Sequence, residues 1–147
     1  MITIKQISAA QTMPLRKDVL RPNQPLSACY FEGDDELTTR HFGALEQRDE
    51  LLGIATLLQR PFSESPELNA WQIRGMAVLP KAQGRGIGKL LLTACLEYAQ
   101  GQSAQIVWCN ARILAAKLYL GAGFAISGVE FEIPGIGAHY LMSRSFV

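Results

Sequence analysis

Residues 71–100 read WQIRGMAVLPKAQGRGIGKLLLTACLEYAQ, and this stretch decides the fold. Its first part, Trp71 to Leu79, is apolar and partly alternating, which is typical of a buried strand. Pro80 ends that strand because proline has no N–H to donate to a sheet. Glycines at alternate positions follow, and apolar residues then recur at the spacing of one helix face. The stretch therefore predicts a strand, a glycine-rich turn and an amphipathic helix.

The predicted turn has the chemistry of an anion site. The first amides of a helix lack intrahelical partners and carry partial positive charge. Because glycine has no Cβ, Gly84, Gly86 and Gly88 would let a phosphate approach these amides closely. Arg85 and Lys89 add positive charge beside the turn. The alternative interpretation is a glycine-rich turn that binds nothing.

Two familiar phosphate motifs are absent from this turn. A P-loop needs Ser or Thr after its Gly-Lys pair, but Leu90 follows Lys89, and Gln83 stands where the first glycine belongs. A dinucleotide fingerprint needs a third glycine three residues after its second. Lys89 occupies that position when the motif starts at Gly84, and Leu91 occupies it when the motif starts at Gly86. A nucleotide-binding module of either kind is therefore disfavoured.

The turn and its surroundings resemble the signature of the GNAT superfamily of acyl-CoA-dependent N-acyltransferases. The signature stands here as Gln83-Gly84-Arg85-Gly86-Ile87-Gly88, after the strand and Pro80. A second segment, from Asn110 through Tyr119 to Gly123-Phe124, resembles another GNAT motif at the expected distance downstream. The tail from Phe131 to Met142 resembles a subgroup of small bacterial GNAT proteins that is largely uncharacterised in substrate.

Composition bounds the function. The chain has 147 residues, 48% of them hydrophobic and 18% charged, which predicts a single globular domain over residues 1–147. A formal net charge of +1 gives no support to nucleic-acid or anionic-membrane partners. The N-terminus lacks a secretory signal and no apolar run would span a bilayer, so we expect a cytoplasmic protein. Three cysteines without a CxxC pair favour neither a disulfide framework nor a bound metal.

The order of elements predicts the architecture. A first strand near residues 1–8 precedes a short helix through residues 14–20, with Pro14 in its first turn and Ser8 or Thr12 as its cap. Residues 39–59 predict a hairpin. Residues 105–109 form a further strand, which should run parallel to the Trp71 strand because a helix connects them. Asn110 is a suitable N-cap for the next helix. The resemblance implies an α/β (α+β) GNAT fold: a mixed sheet of six to seven strands whose parallel fourth and fifth strands splay apart, flanked by helices.

The resemblance also assigns roles at the site. Tyr119 would be catalytic and would protonate the departing thiolate, although on its own such a tyrosine is more often a core aromatic. The strand before Pro80 would pair its backbone with the pantetheine of acyl-CoA, and the turn amides would hold the pyrophosphate. The full set of residues implied to bind acyl-CoA is Met76, Ala77, Val78, Gln83, Gly84, Arg85, Gly86, Ile87, Gly88, Lys89 and Asn110.

No general base is evident from the motifs. Many GNAT enzymes carry a glutamate on the fourth strand, but this strand holds Arg74 and no acid. The candidates elsewhere are His41, Glu130, Glu132 and His139. The acidic segment 32–36 is either a solvated turn or a patch that attracts an amine.

The resemblance implies an N-acetyltransferase. Acetyl-CoA would be its cosubstrate, and a primary amine on a small molecule or peptide would attack the thioester directly. Family members are often dimers, so a homodimer is compatible with the resemblance. The alternative is a protein of GNAT fold that binds acyl-CoA as a non-catalytic sensor or regulatory module.

Overall fold

A computed structural model describes residues 1–146 as a mixed seven-stranded sheet flanked by helices. The sheet order is β1-β2-β3-β4-β5-β7-β6. The strands are β1 Thr3–Ile7, β2 Arg40–Leu45, β3 Leu51–Gln59, β4 Ala70–Val78, β5 Ile106–Arg112, β6 Ala125–Ile133 and β7 Gly137–Ser145. The α-helices are α1 Ala9–Leu15, α2 Ile87–Gly101 and α3 Ala116–Gly121.

The strand pairings confirm the predicted sheet. β1 to β4 pair antiparallel in sequence order, and β2 and β3 form the predicted hairpin. β4 and β5 run parallel, as the intervening helix α2 requires. β7 then pairs antiparallel with β5, and β6 lies at the sheet edge. Within residues 1–146, no helix is long and apolar enough to cross a membrane.

The main core lies between α2 and one face of the sheet. Leu91, Leu92 and Cys95 of α2 are completely or almost completely buried against Trp71 of β4 and Val107 of β5. Each buried aliphatic side chain of this kind contributes roughly 1.5–3 kcal/mol. This packing fixes the N-terminus of α2 at the carboxyl end of β4.

The helical segment after β1 covers the other face of the sheet. Ser8 caps α1 in a capping box with Gln11, which confirms Ser8 rather than Thr12 as the cap. Pro14 lies inside the helix, not in its first turn, and the chain then widens into a π-helical segment, Arg16–Leu20. We attribute the widening to the missing proline N–H, which interrupts the regular α-helical hydrogen bonds.

The two parallel strands separate partway along their length. β4 and β5 pair only from Ala70/Ile106 to Ile73/Cys109. Beyond that point the pairing of β3 with β4 is shifted by a bulge, and Gly75 takes a φ of +64° there. A bulge bends its strand, so β4 turns away while β5 stays paired with β7 as far as Arg112. The predicted splay is therefore present.

Asn110 does not cap a helix, so that prediction is wrong. β5 continues through Arg112 because β7 pairs with it, and Asn110 lies opposite Leu141 in this ladder. A 3₁₀ turn, Ile113–Ala115, follows before α3 begins. Pairing with a strand far along the chain overrides the local capping preference.

Candidate active site

A cavity of about 180 Å³ fills the wedge between the splayed strands. β4 contributes residues 72–76 to its wall and β5 contributes residues 110–112. Tyr119 of α3 and His139 of β7 also line it, together with residues from the segments around Leu20 and Phe31. The cavity therefore joins the predicted catalytic tyrosine to one of the predicted base candidates.

The free edge of β4 presents unpaired backbone groups toward the wedge. The Leu79 N–H donates to the Leu52 carbonyl of β3 at 2.9 Å, so the backbone groups of Leu79 face β3. Because backbone groups alternate along a strand, those of Met76 and Val78 face the opposite side, where β5 no longer pairs. The Gln83 side chain donates to the Val78 carbonyl at 3.2 Å. The Ala77 side chain is buried with Ile54, and its backbone groups face β3 as those of Leu79 do.

The glycine turn at the end of β4 is shaped to receive an anion. Gly84 and Gly86 have φ values of +81° and +78°, which favour glycine, and a Cβ at either position would meet nothing within 4 Å. Gly86 is the N-cap of α2 and provides no side chain to cap the first-turn amides. Ile87 begins the helix with its side chain buried, so its backbone alone is available. The turn thus combines free amides with open space.

The two cations of the turn differ in their partners. Arg85 donates to Glu46 of the β2–β3 connection, with an Nη2–Oε1 distance of 2.5 Å. The Glu46 carboxylate raises the pKa of Arg85, and Arg85 in turn lowers the pKa of Glu46. Lys89 is exposed on the first turn of α2 and has no hydrogen-bond or ion-pair partner in residues 1–146.

Gly88 has a different environment from the other two glycines. It lies inside α2, and a Cβ there would stand 3.3 Å from Leu118 Cδ2 of α3. That contact gives its small size a packing reason, because α2 and α3 approach closely at this point. The sequence interpretation treated all three glycines alike, and the structure gives only Gly84 and Gly86 the positive φ and open space of a ligand turn.

Tyr119 lies at the inner end of the wedge. The residue is 4% exposed, and its ring packs edge-on against Phe124 at 5.3 Å. Its hydroxyl has no hydrogen-bond partner within residues 1–146. Burial raises the pKa of Tyr119 well above its usual 10.0, and Cys109 and Cys95 raise it further. Asn110 is exposed on the opposite wall of the cavity.

His41 is part of a buried hydrogen-bond network and does not line the cavity. Its Nε2–H donates to the Asp34 carbonyl at 2.9 Å, because a carbonyl can only accept. Its Nδ1 then accepts from the Thr56 hydroxyl at 2.8 Å, while Arg16 donates to the same hydroxyl oxygen. Both ring nitrogens are engaged in this network, so His41 has a structural role.

The remaining base candidates separate into two groups. Glu130 and Glu132 lie exposed on the edge strand β6, outside the cavity. His139 is buried and lines the cavity, and its Nδ1–H donates to the Gly137 carbonyl at 2.7 Å. That bond leaves Nε2 without a partner in the described chain. No group of three or more His, Cys, Asp or Glu side chains within residues 1–146 could hold a metal ion.

Two carboxylates of the acidic segment 32–36 are paired with arginines. Asp34 is buried in a bidentate pair with Arg16, at 2.6 and 3.0 Å. Glu36 pairs with Arg60 at 2.6 Å, and Asp35 accepts from a neighbouring tyrosine. None of these carboxylates lines the cavity, so the hypothesis of an amine-attracting patch is not supported.

The residues of the cavity wall that the sequence interpretation missed include Arg21, Phe31, Arg74 and Arg112. Phe31 lies beneath two of the cations, with Arg74 Cζ 4.2 Å and Arg21 Cζ 5.1 Å from its ring centroid. The sequence held one signal for two of them, since Arg74 and Arg112 follow the paired parts of two parallel strands and would face the same gap. The others come together only through the tertiary fold.

Comparison with known proteins agrees with this geometry. The sequence profile described as the acetyltransferase (GNAT) family matches residues 5–124. The chain is 30% identical over 145 residues to the uncharacterized N-acetyltransferase YitI of Bacillus subtilis, covering 99% of this chain and 97% of that protein. The chain therefore belongs to the GNAT family of acetyltransferases.

Solved structures show the same fold at lower identity. Escherichia coli ElaA superposes with a TM-score of 0.79 at 21% identity, covering 99% of this chain and 100% of that one. The structure of the NatC complex bound to Gag peptide and CoA gives a TM-score of 0.75 at 15% identity, with 99% of each chain covered. Acetyl transfer is the activity of the family, and the acceptor has to be inferred from this chain's own site.

Proposed function

We propose that the protein transfers the acetyl group of acetyl-CoA to a primary amine on a small molecule or peptide. The observation that carries this proposal is the wedge between β4 and β5. Its cavity is lined by a buried tyrosine and by a histidine, whose hydroxyl and Nε2 have no hydrogen-bond partners within residues 1–146. The same strand β4 that lines the cavity continues to the glycine turn at the N-terminus of α2. Strand β4 therefore connects the candidate cosubstrate site to the proton-transfer groups.

The residues along β4 and the turn fit acetyl-CoA. The Gln83 N–H already donates to the Pro80 carbonyl, so the turn amides from Gly84 to Gly88 would hold its pyrophosphate, with Lys89 adding charge. The backbone of Met76 and Val78 would pair with the pantetheine amides, and Asn110 would hold the arm from the opposite wall. When bound there, acetyl-CoA supplies an acetyl group activated by its bond to sulfur.

Two proton movements accompany the transfer, and the cavity offers a group for each. The amine must lose a proton as its nitrogen bonds to carbon, and Nε2 of His139 is free to accept it. The sulfur must gain a proton as its bond to carbon breaks, and the Tyr119 hydroxyl can donate it. Burial raises the pKa of Tyr119 above its usual 10.0, so this hydroxyl carries its proton at neutral pH.

The test is thiol release from acetyl-CoA across a panel of amines. We expect turnover by the wild type and a roughly hundredfold lower kcat for Tyr119→Phe, since general acid catalysis contributes about 10²–10⁴-fold. KM for acetyl-CoA should hardly change, because the ring remains in place. Tyr98→Phe is the matched control, since Tyr98 lies on α2 and does not line the cavity. Full turnover by Tyr119→Phe would show that Tyr119 is only a core aromatic residue.

A non-catalytic acyl-CoA sensor is the second candidate. The observation that favours it is the absence of Asp and Glu from the cavity lining within residues 1–146. Acetyl-CoA binding without thiol release from any amine on the panel would support the sensor and contradict the transferase.

A further inference from the structure

Three arginines line the cavity together with Tyr119 and His139, and we call this part of the cleft the acceptor end. Arg21 follows the π-helical segment, Arg74 lies on β4 and Arg112 ends β5. Each is partly buried, and no Asp or Glu of the described chain lines the cavity with them. Three cations therefore face a small space that contains no counter-charge of its own.

The partners of these guanidinium groups are neutral. Arg21 donates to the Ala28 carbonyl, and Arg112 donates to the Leu20 carbonyl at 2.8 Å. Arg74 has no hydrogen-bond or ion-pair partner in residues 1–146, and its close contact is the Phe31 ring at 4.2 Å. The nearest carboxylate in this network, Asp34, is already bound by the buried Arg16.

Burial and mutual repulsion make this cluster unfavourable without an anion. Burial lowers the pKa of Arg74, Arg21 and Arg16 lower it further, and Asp34 opposes this only in part. Burial and Arg21 likewise lower the pKa of Arg112. Buried charges are normally paired, so this cluster lacks a partner that a ligand would provide. A polycationic amine would add to the repulsion.

The phosphates of CoA do not account for the cluster. Val78 lies four positions after Arg74 in β4, which is about 13 Å along an extended strand. The glycine turn lies beyond Val78 and has its own free amides. The cluster lies instead beside Tyr119 and His139, where the amine has to enter.

We propose that the acceptor is a small amine that also carries a carboxylate or a phosphate, which Arg21, Arg74 and Arg112 bind. This proposal rests on the proposed function and adds the substrate class. Arginine suits the task because its planar donors match both anions in bidentate geometry. A cavity of about 180 Å³ favours a small acceptor.

The test compares matched amines on the whole protein. One pair is 4-aminobutanoate and 4-aminobutanamide, the other is O-phosphoethanolamine and ethanolamine, and spermidine is the cationic probe. Binding is measured by titration calorimetry with CoA at saturation, which keeps the probes away from the glycine turn. Acetyl transfer is measured on the same amines. We expect at least tenfold tighter binding and higher kcat/KM for the anionic members, and the two pairs separate carboxylate from phosphate.

Variants connect this preference to the cluster. Arg74→Gln should weaken binding of the anionic amines by about 10- to 100-fold and leave the neutral ones unchanged. Lys5→Gln, which removes one exposed positive charge from β1, is the charge-matched control and should have no effect. Arg112→Gln provides the same readout should Arg74→Gln fail to fold.

The outcomes separate the two proposals. Arginine-dependent binding of anionic amines without acetyl transfer would retain the acceptor class and contradict the transferase activity. Acetyl transfer with equal or better use of the neutral and cationic amines would overturn the acceptor class and retain the activity. Failure of every anionic amine to bind would also overturn the acceptor class.

Discussion

The two ends of the cleft are built in different ways. At the turn end, the recognition groups are backbone amides at the start of one helix, and their glycines border open space. At the acceptor end, they are side chains from three distant segments, and two of them, Arg21 and Arg74, lie over the Phe31 ring. The first end needs only local backbone geometry. The second depends on a buried network that holds Phe31 in place.

The largest expected effect comes from breaking that buried network. Asp34→Asn would leave the fully buried Arg16 without a counter-charge, which typically costs 3–5 kcal/mol. The loop that carries Phe31 would also loosen, because the Asp34 carboxylate accepts from the Phe31 N–H at 2.8 Å. Chemical denaturation measures the loss, and acceptor KM should rise more than KM for acetyl-CoA.

Glu36→Gln is the matched control for that experiment. It makes the same chemical change in the same loop, but it removes an ion pair whose side chains are 29% and 48% exposed. Exposed pairs contribute about 0–1 kcal/mol, so stability should hardly change. Equal losses in the two variants would show that the buried pair has no special role.

A second prediction concerns the pH dependence of stability, which two buried cysteines of the main core should influence. Burial raises the pKa of the Cys95 and Cys109 thiols from 9.0 to about 12. A folded-state pKa above the unfolded value stabilises the fold below pH 9, and this stabilisation is lost as pH rises toward 12. At pH 10 the loss is roughly 1–2 kcal/mol for each thiol, or roughly 3 kcal/mol together.

Comparing urea denaturation at pH 8 and pH 10 tests this. The double variant Cys95→Ala, Cys109→Ala should lose about 3 kcal/mol less than the wild type between the two pH values. Groups that titrate in both proteins cancel in this difference. An identical pH dependence would show that the thiols are not what makes the fold sensitive to alkali.

A third prediction tests the turn end alone. Gly86→Val should weaken acetyl-CoA binding at least tenfold, about 1.4 kcal/mol, because the side chain fills the open space at the amides. Gly128→Val is the control, since Gly128 has a similar φ of +73° and equally open surroundings on β6. Both variants have the same backbone strain, so calorimetry should find weaker binding in Gly86→Val alone. Unchanged acetyl-CoA affinity in Gly86→Val would show that the turn is not part of the binding site.

The same contrast explains what could be predicted from the sequence. The strand, the glycine turn and α2 follow each other directly, so local periodicity and glycine positions were enough to predict them. The parallel pairing of β4 and β5 followed from the connecting helix, and the splay from family resemblance. Tyr119 was predicted by its place in a motif.

Features that depend on distant pairing could not be predicted in this way. Asn110 looks like a helix cap until β7 pairs with β5. Gly75 marks a bulge, and a glycine inside a strand was the one available hint. The arginine cluster requires Arg21, Arg74 and Arg112 to meet, which neither periodicity nor spacing can indicate.

The smallest predicted effect is a gain in stability when a charged side chain is removed. Arg74→Met should stabilise the protein without ligand, because the wild-type guanidinium is partly buried beside two other cations and has no anionic partner within residues 1–146. The methionine keeps a favourable contact with the Phe31 ring. We expect a gain on the order of 1 kcal/mol, or about 2–4 °C in Tm by calorimetry.

Arg16→Met is the informative counterpart, because Arg16 stands over the same ring at 3.8 Å. Its guanidinium is paired with Asp34, so its removal leaves a buried carboxylate unpaired and should lower Tm steeply. Two arginines on one phenyl ring would then have opposite effects on stability. A lower Tm for both variants would mean that Arg74 stabilises the fold through its stacking on Phe31. It would contradict the inference that the Arg74 charge is unfavourable without an anionic ligand.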